Sequence, residues 1–324
     1  MVDEKYDVVV VGGGAAGLAG ALALVRARRS VLVVDAGAPR NAPAGHVHNY
    51  LTREGTPPAE LLAAGRAEVA GYGGEIVTGG VTAAEALDDG GFRVQLDGDR
   101  SVRARRLLVA TGLVDELPDV PGLAERWGDD VLHCPYCHGW EVRDQRIGVL
   151  STGPMTGHQA LLFRQWSADV TVFLHDGPPL GADDREQLEA RGVALVEGEV
   201  AALEVADDRL TGVRLRSGEV VPLQALVVAP RFTARADVLV QLGLELAEQR
   251  VGDQVLGTFV PAGPTGATAV PGVWVAGNVA DLRAQVISAA ASGLTAAADL
   301  NADLVAEDTR LAVAAHRARA GVVV

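Results

Sequence analysis

Residues 6–18, Tyr-Asp-Val-Val-Val-Val-Gly-Gly-Gly-Ala-Ala-Gly-Leu, decide the fold. Four valines in a row read as a strand buried on both faces of a parallel sheet. Gly12, Gly14 and Gly17 follow in GxGxxG spacing, and residues 18–28 read as an apolar helix. A second strand over residues 31–34 ends at Asp35, 23 residues after Gly12. A dinucleotide-binding fold places there the acid that bonds a ribose hydroxyl. GxGxxG alone is weak evidence. Strand, glycines, helix, strand and acid in register are strong, because the glycines serve distinct purposes. They allow a tight turn, close approach to a pyrophosphate and close helix packing.

Composition sets outer limits. A chain of 324 residues predicts two domains. The formal net charge of −14 argues against nucleic acid or an anionic membrane as partner. Two cysteines in the whole chain exclude a secreted disulfide scaffold. The apolar run over residues 8–25 is unlike a signal peptide, since acids precede it and Gly12-Gly13-Gly14 break it. No other stretch is apolar enough to span a bilayer, so a soluble, cytoplasmic protein is expected.

Further along, residues 37–58 read as a loop carrying Arg40, His46, His48 and Asn49, and residues 59–70 as an amphipathic helix. Arg40 reads equally as a phosphate partner or a solvated surface group, and both histidines as loop residues. Residues 75–109 read as short strands with turns at Asp89-Gly90-Gly91 and Asp97-Gly98, running into Ala110-Thr111-Gly112. A hinge is expected over 114–122 and another near 243–248. Between them the order strand (146–150), glycine turn, helix, strand (170–174) repeats that of the N-terminus. The expected fold is α/β, with two Rossmann-like (three-layer ββα) dinucleotide-binding domains, the second inserted in the first. Residues 1–117 and 246–324 would form one and 118–245 the other. The second fingerprint is eroded: Ser151 and Thr156 stand at its first and third glycine positions, and only Gly153 survives. After its second strand come His175, Asp176 and two prolines, where an NADPH site wants arginines. Residues 193–228 read as strands and 268–278 as a closing strand and tight turn. An Ala-rich helix follows from about Gln285, with Ser288 in its first turns.

Residues 133–140, His-Cys-Pro-Tyr-Cys-His-Gly-Trp, hold both cysteines. At a helix start the leading thiolate of a CxxC gains amide hydrogen bonds and the positive dipole end. His133 and His138 flank the pair, and imidazole titrates where thiol exchange needs a base. A half zinc site or two inert buried cysteines are the plain alternatives. No metal is expected, because no second cysteine pair exists to complete a site.

GxGxxG, Ala-Thr-Gly, CxxC within an inserted domain, and Pro-Gly-Val-Trp-Val-Ala-Gly-Asn at 271–278 together resemble the low-molecular-weight thioredoxin reductases over essentially the whole chain. The resemblance implies a homodimer binding FAD in the split outer domain. It implies FAD contacts at Gly12, Gly14, Ala15, Ala16, Gly17, Asp35, Ala36, Arg40, Asn49, Val81, Ala110, Thr111, Gly112, Gly277, Asn278, Gln285 and Val286. The N-terminus of the last helix would stabilise negative charge on the reduced flavin. Cys134 would exchange with substrate and Cys137 face the flavin. Two departures, His138 in place of an acid after the CxxC and Asn278 in place of Asp, together with the eroded NADPH site, resemble the FAD-dependent dithiol oxidase branch. Its members close disulfides in natural products of the gliotoxin, holomycin and romidepsin type, the holomycin type being nearest. That implies a small dithiol substrate, O2 as electron acceptor, and His138 or, second, His133 as base. A reductase fed by NAD(P)H or ferredoxin and a non-catalytic sensor or resistance flavoprotein stay open beside it.

Overall fold

The computed structural model describes residues 4–319, except residues 89 and 99. The turn expected at Asp89 therefore lies partly outside the described residues. The fold is α/β, as expected, with two sheet layers; the first is parallel at its centre and carries an antiparallel edge, Phe92–Leu96 and Val81–Ala86, beside Ser101–Val109. β1 (Glu4–Val11) pairs in parallel with β2 (Val31–Asp35) on one side and with the strand Ser101–Val109 on the other. The helix α1 (Ala15–Arg26) crosses between β1 and β2, and α2 (Pro58–Gly71) leads into β3 (Glu75–Thr78) at the edge. Val8, Val9 and Val10 are fully buried, which matches their unbroken apolar run. Burying each such side chain contributes ~1.5–3 kcal/mol.

The strand Val273–Val275 closes this sheet by pairing with the end of Ser101–Val109. Of the expected closing strand and tight turn over 268–278, the strand takes residues 273–275 and the turn follows at Gly277–Val279. Pro271 lacks an amide hydrogen and Gly272 sits at φ +85°, so the chain cannot stay extended before Val273. The final helix, Val286–Arg319, packs on α1 through small residues: a Cβ on Gly293 would lie 1.9 Å from the Ala16 carbonyl oxygen. Arg105 anchors the helix to the sheet through Asp7, Glu307 and Asp308. Among the described residues no helix is long and apolar enough to cross a membrane.

The second layer is an all-parallel five-stranded sheet. Its order is Ala194–Val196, Val170–Phe173, Ile147–Leu150, Ala225–Val227, Val131–Leu132. The expected hinge at 114–122 is in part a strand. Leu113–Glu116 runs antiparallel to Arg231–Ala234, so the two chain crossings lie side by side. The return to the first core comes earlier than residue 246, because Ala234, Ala236, Val238, Leu239 and Leu244 pack with Val9 and Val109.

Candidate active site

One cavity of about 1150 Å³ opens at the C-terminal ends of the parallel strands and is walled by both layers. Open α/β sheets bind ligands at this edge. Gly12, with φ +104°, turns the chain there; a Cβ would stand 2.5 Å from the Ala110 carbonyl oxygen. Gly14 faces open space, and α1 starts behind it with no side-chain cap, leaving its first amides available to an anion. Ala15, Ala16, Ala36, Val81, Ala110, Thr111, Gly112, Gly277, Gln285 and Val286 all line the cavity. This open turn, the uncapped helix start and the small-residue wall fit an FAD.

Several expected contacts are engaged elsewhere. Gly17 does not reach the cavity; a Cβ there would lie 1.8 Å from the Gly12 carbonyl oxygen, so its role is close packing behind the turn. Asp35 lines the wall, accepting from the Gly13 amide at 3.1 Å and pairing with Arg66. Arg40 is neither a solvated group nor a free phosphate partner. It forms a two-pronged ion pair with Asp115 at 2.6 and 2.7 Å and stacks over Phe232. Asn278 lines the cavity, but its amide donates to the Asp281 and Ala284 carbonyls. Asn49 lies outside the cavity wall. Its left-handed backbone, φ +59°, turns its side chain to donate to the Tyr136 carbonyl at 2.6 Å.

The two thiols meet on the cavity wall at the start of a one-turn helix, Pro135–His138, with Cys134 at its N-cap. Both are free. Cys134 is lowered to about 7, first by the thiol of Cys137 and then by the amides of Cys137 and Tyr136. Cys137 is raised far above the usual thiol range, because it donates to Cys134 and is buried. Cys134 is therefore the more acidic thiol of the pair, and Cys137 the donor in their hydrogen bond. Among the described residues no group of three His, Cys, Asp or Glu side chains is arranged to hold a metal ion.

The flanking histidines differ. His133 packs edge-on against Phe232 at 5.2 Å, and burial with nearby Arg40 depresses it to about 4. His138 is depressed by burial, an effect opposed by Glu141 and aided by His48. Both are neutral near pH 7, and His138 keeps a nearby carboxylate to steady an acquired proton. The structure also brings in residues read from sequence as loop. His46 and His48 line the cavity, and His48 bridges Glu54 at 2.6 Å and Glu141 at 3.4 Å. Glu141, three residues past His138, was findable as the first acid after the CxxC.

The second turn lines the same cavity at residues 152–156, but its glycine positions are filled. The Ser151 and Thr156 hydroxyls lie 3.2 Å apart, both buried, and Thr156 donates to the Gly153 carbonyl at 2.7 Å. His175 accepts from the Val200 amide and pairs with Asp176, so it is not free to meet a phosphate.

The profile of the pyridine nucleotide-disulphide oxidoreductases matches residues 6–293. The chain is 32% identical to "Thioredoxin reductase sirT" of Leptosphaeria maculans, over 94% of this chain and 95% of that one. It is likewise 32% identical to "Thioredoxin reductase aclD" of Aspergillus oryzae, over 86% and 90%. The crystal structure of HlmI superposes with TM-score 0.89 at 50% identity, covering 98% of this chain and 97% of that one.

Proposed function

The chain belongs to the pyridine nucleotide-disulphide oxidoreductase family, and on that premise we propose that it is a dithiol oxidase closing a disulfide in a small natural-product dithiol. It is a thioredoxin reductase-like flavoprotein that binds FAD. The observation that carries the oxidase reading is a contrast within the one cavity that holds Cys134 and Cys137: its first turn leaves Gly14 open, whereas in its second turn Ser151 and Thr156 fill the glycine positions and Gln254 stands over Gly153.

In the oxidised enzyme Cys134 and Cys137 form a disulfide. His138, neutral and beside Glu141, takes a proton from one substrate thiol. That thiolate attacks the Cys134 sulfur; a mixed disulfide forms and Cys137 leaves. The second substrate thiol, deprotonated in turn, attacks the substrate sulfur of the mixed disulfide, and Cys134 leaves. Its lowered pKa makes Cys134 a good leaving group, which favours product release over the reverse step. The substrate has lost two electrons and two protons, and the enzyme dithiol has gained them. FAD held along Gly12–Gly14 and the Ala110–Gly112 wall would supply the two-electron acceptor that restores the disulfide, with O2 as the final acceptor and hydrogen peroxide as its product. His133, depressed to about 4 mainly by its burial, is the second candidate for that proton.

A homodimer in the cytoplasm belongs to the same proposal. Exposed Ile287, Leu294 and Val305 on the last helix offer an apolar face for a second copy. The second reading, a reductase driven by NAD(P)H or ferredoxin, is favoured by the names that the fungal relatives carry. Anaerobic bleaching of the flavin band separates the two. Bleaching by dithiothreitol but not NADPH, with colour and peroxide returning in air, supports the oxidase. Prompt bleaching by NADPH sinks it.

A further inference from the structure

We infer that Gln254 is a specificity-determining residue that bars nicotinamide dinucleotides from the second layer. The two turns provide the comparison. A Cβ built on Gly14 in the first turn meets nothing within 4 Å, so a ligand has room. A Cβ built on Gly153 in the second meets Gln254 Oε1 at 2.7 Å and Nε2 at 3.0 Å. The amide arrives from the strand Gln254–Phe259, which belongs to the sheet beside the first layer. It is held there, donating from Nε2 to the Thr152 carbonyl at 2.9 Å. Gln254 thus stands against the backbone that a pyrophosphate must approach.

Thr152 is itself fixed, its hydroxyl donating to the Ala229 carbonyl at 3.1 Å. As placed, the amide occupies the space beside the turn backbone that a phosphate would take, and a dinucleotide would have to displace it. Beyond the turn, Asp176 follows the second strand of this layer and pairs with His175. An acid after that strand suits the free ribose hydroxyl of NADH and repels the 2′-phosphate of NADPH. Removing the Gln254 side chain should therefore open a weak site that prefers NADH. This inference concerns binding at the second turn and stands apart from the oxidase reading, which is decided by dithiol bleaching.

The test is calorimetric titration of the FAD-loaded protein, kept anaerobic, with NADH and with NADPH. Wild type is expected to show no saturable binding up to roughly 1 mM, and Gln254→Gly to bind NADH at least about tenfold more tightly than wild type. Gln254→Glu keeps the bulk and adds a charge that repels phosphate, so it should gain nothing. Retained yellow colour in each variant reports an intact FAD fold. Micromolar binding by wild type, no gain in Gln254→Gly, or an equal gain in Gln254→Glu would each overturn the assignment.

Discussion

The turns at residues 12–17 and 151–156 sit on the same topology and have met opposite fates. In both, a buried parallel strand runs into a tight turn and a helix, and a second buried strand follows. Ile147, Val149 and Leu150 are as buried as Val8 to Val10. Yet the first turn is open and the second is filled by Ser151, Thr156 and Gln254. The difference teaches that strand burial holds the layer whatever the turn does, whereas ligand binding depends on a few Cβ positions staying empty.

The most severe way to test that contrast is to place a side chain in each turn. Gly17→Val should abolish recovery of yellow holoprotein, because its Cβ would lie 1.8 Å from a backbone oxygen that cannot yield. The expected cost exceeds ~3 kcal/mol. Gly153→Ala meets only the far end of the Gln254 side chain. It should keep its FAD and lose less than about 1 kcal/mol in a denaturant melt. Comparable FAD loss in the two variants would mean that the second turn still supports the holoprotein.

What the sequence made legible follows the same division. Gly12, Asp35 and the CxxC are local patterns, with partners within a few residues or one βαβ unit. The eroded second turn was legible too, because Ser151 and Thr156 stand where glycines belong. Gln254 was not legible, since it meets Thr152 across 102 residues and no spacing rule links them. Arg40 and Asp115 are 75 residues apart and meet only once the crossing strand Leu113–Glu116 is in place. Resemblance gives Asn49 to the cofactor; its left-handed backbone, invisible in composition, turns it to Tyr136 instead.

The seam between the layers gives an intermediate test of whether the turns stay face to face in solution. His133 comes from the CxxC side, and Arg40, from the loop after β2, helps depress it. With the folded value near 4 and the ordinary imidazole value 6.5, the unfolded chain binds the proton between those limits and the native protein does not. The neutral ring's contribution is intact above pH 6.5 and is lost as pH falls towards 4. At 1.36 kcal/mol per pH unit, the ring's partial exposure reduces the expected loss to ~2 kcal/mol. His133→Gln should flatten the stability profile in that window by this amount, read from chemical denaturation at stepped pH. An unchanged profile would mean that the two regions separate in solution and hydrate the ring.

The smallest effect is expected at the other seam contact, where His48 of the first loop meets Glu141 after the CxxC. Glu141 is the group that raises His138 against burial and His48. Glu141→Gln removes that support, so His138 should become less basic and the acid limb of kcat/KM for dithiol oxidation should move to lower pH. A merely structural glutamate would lower the rate equally at every pH and leave the limb in place. A carboxylate raises the pKa of any group beside it, so a limb that stays in place would take the proton away from both His138 and His48, the two rings that face Glu141.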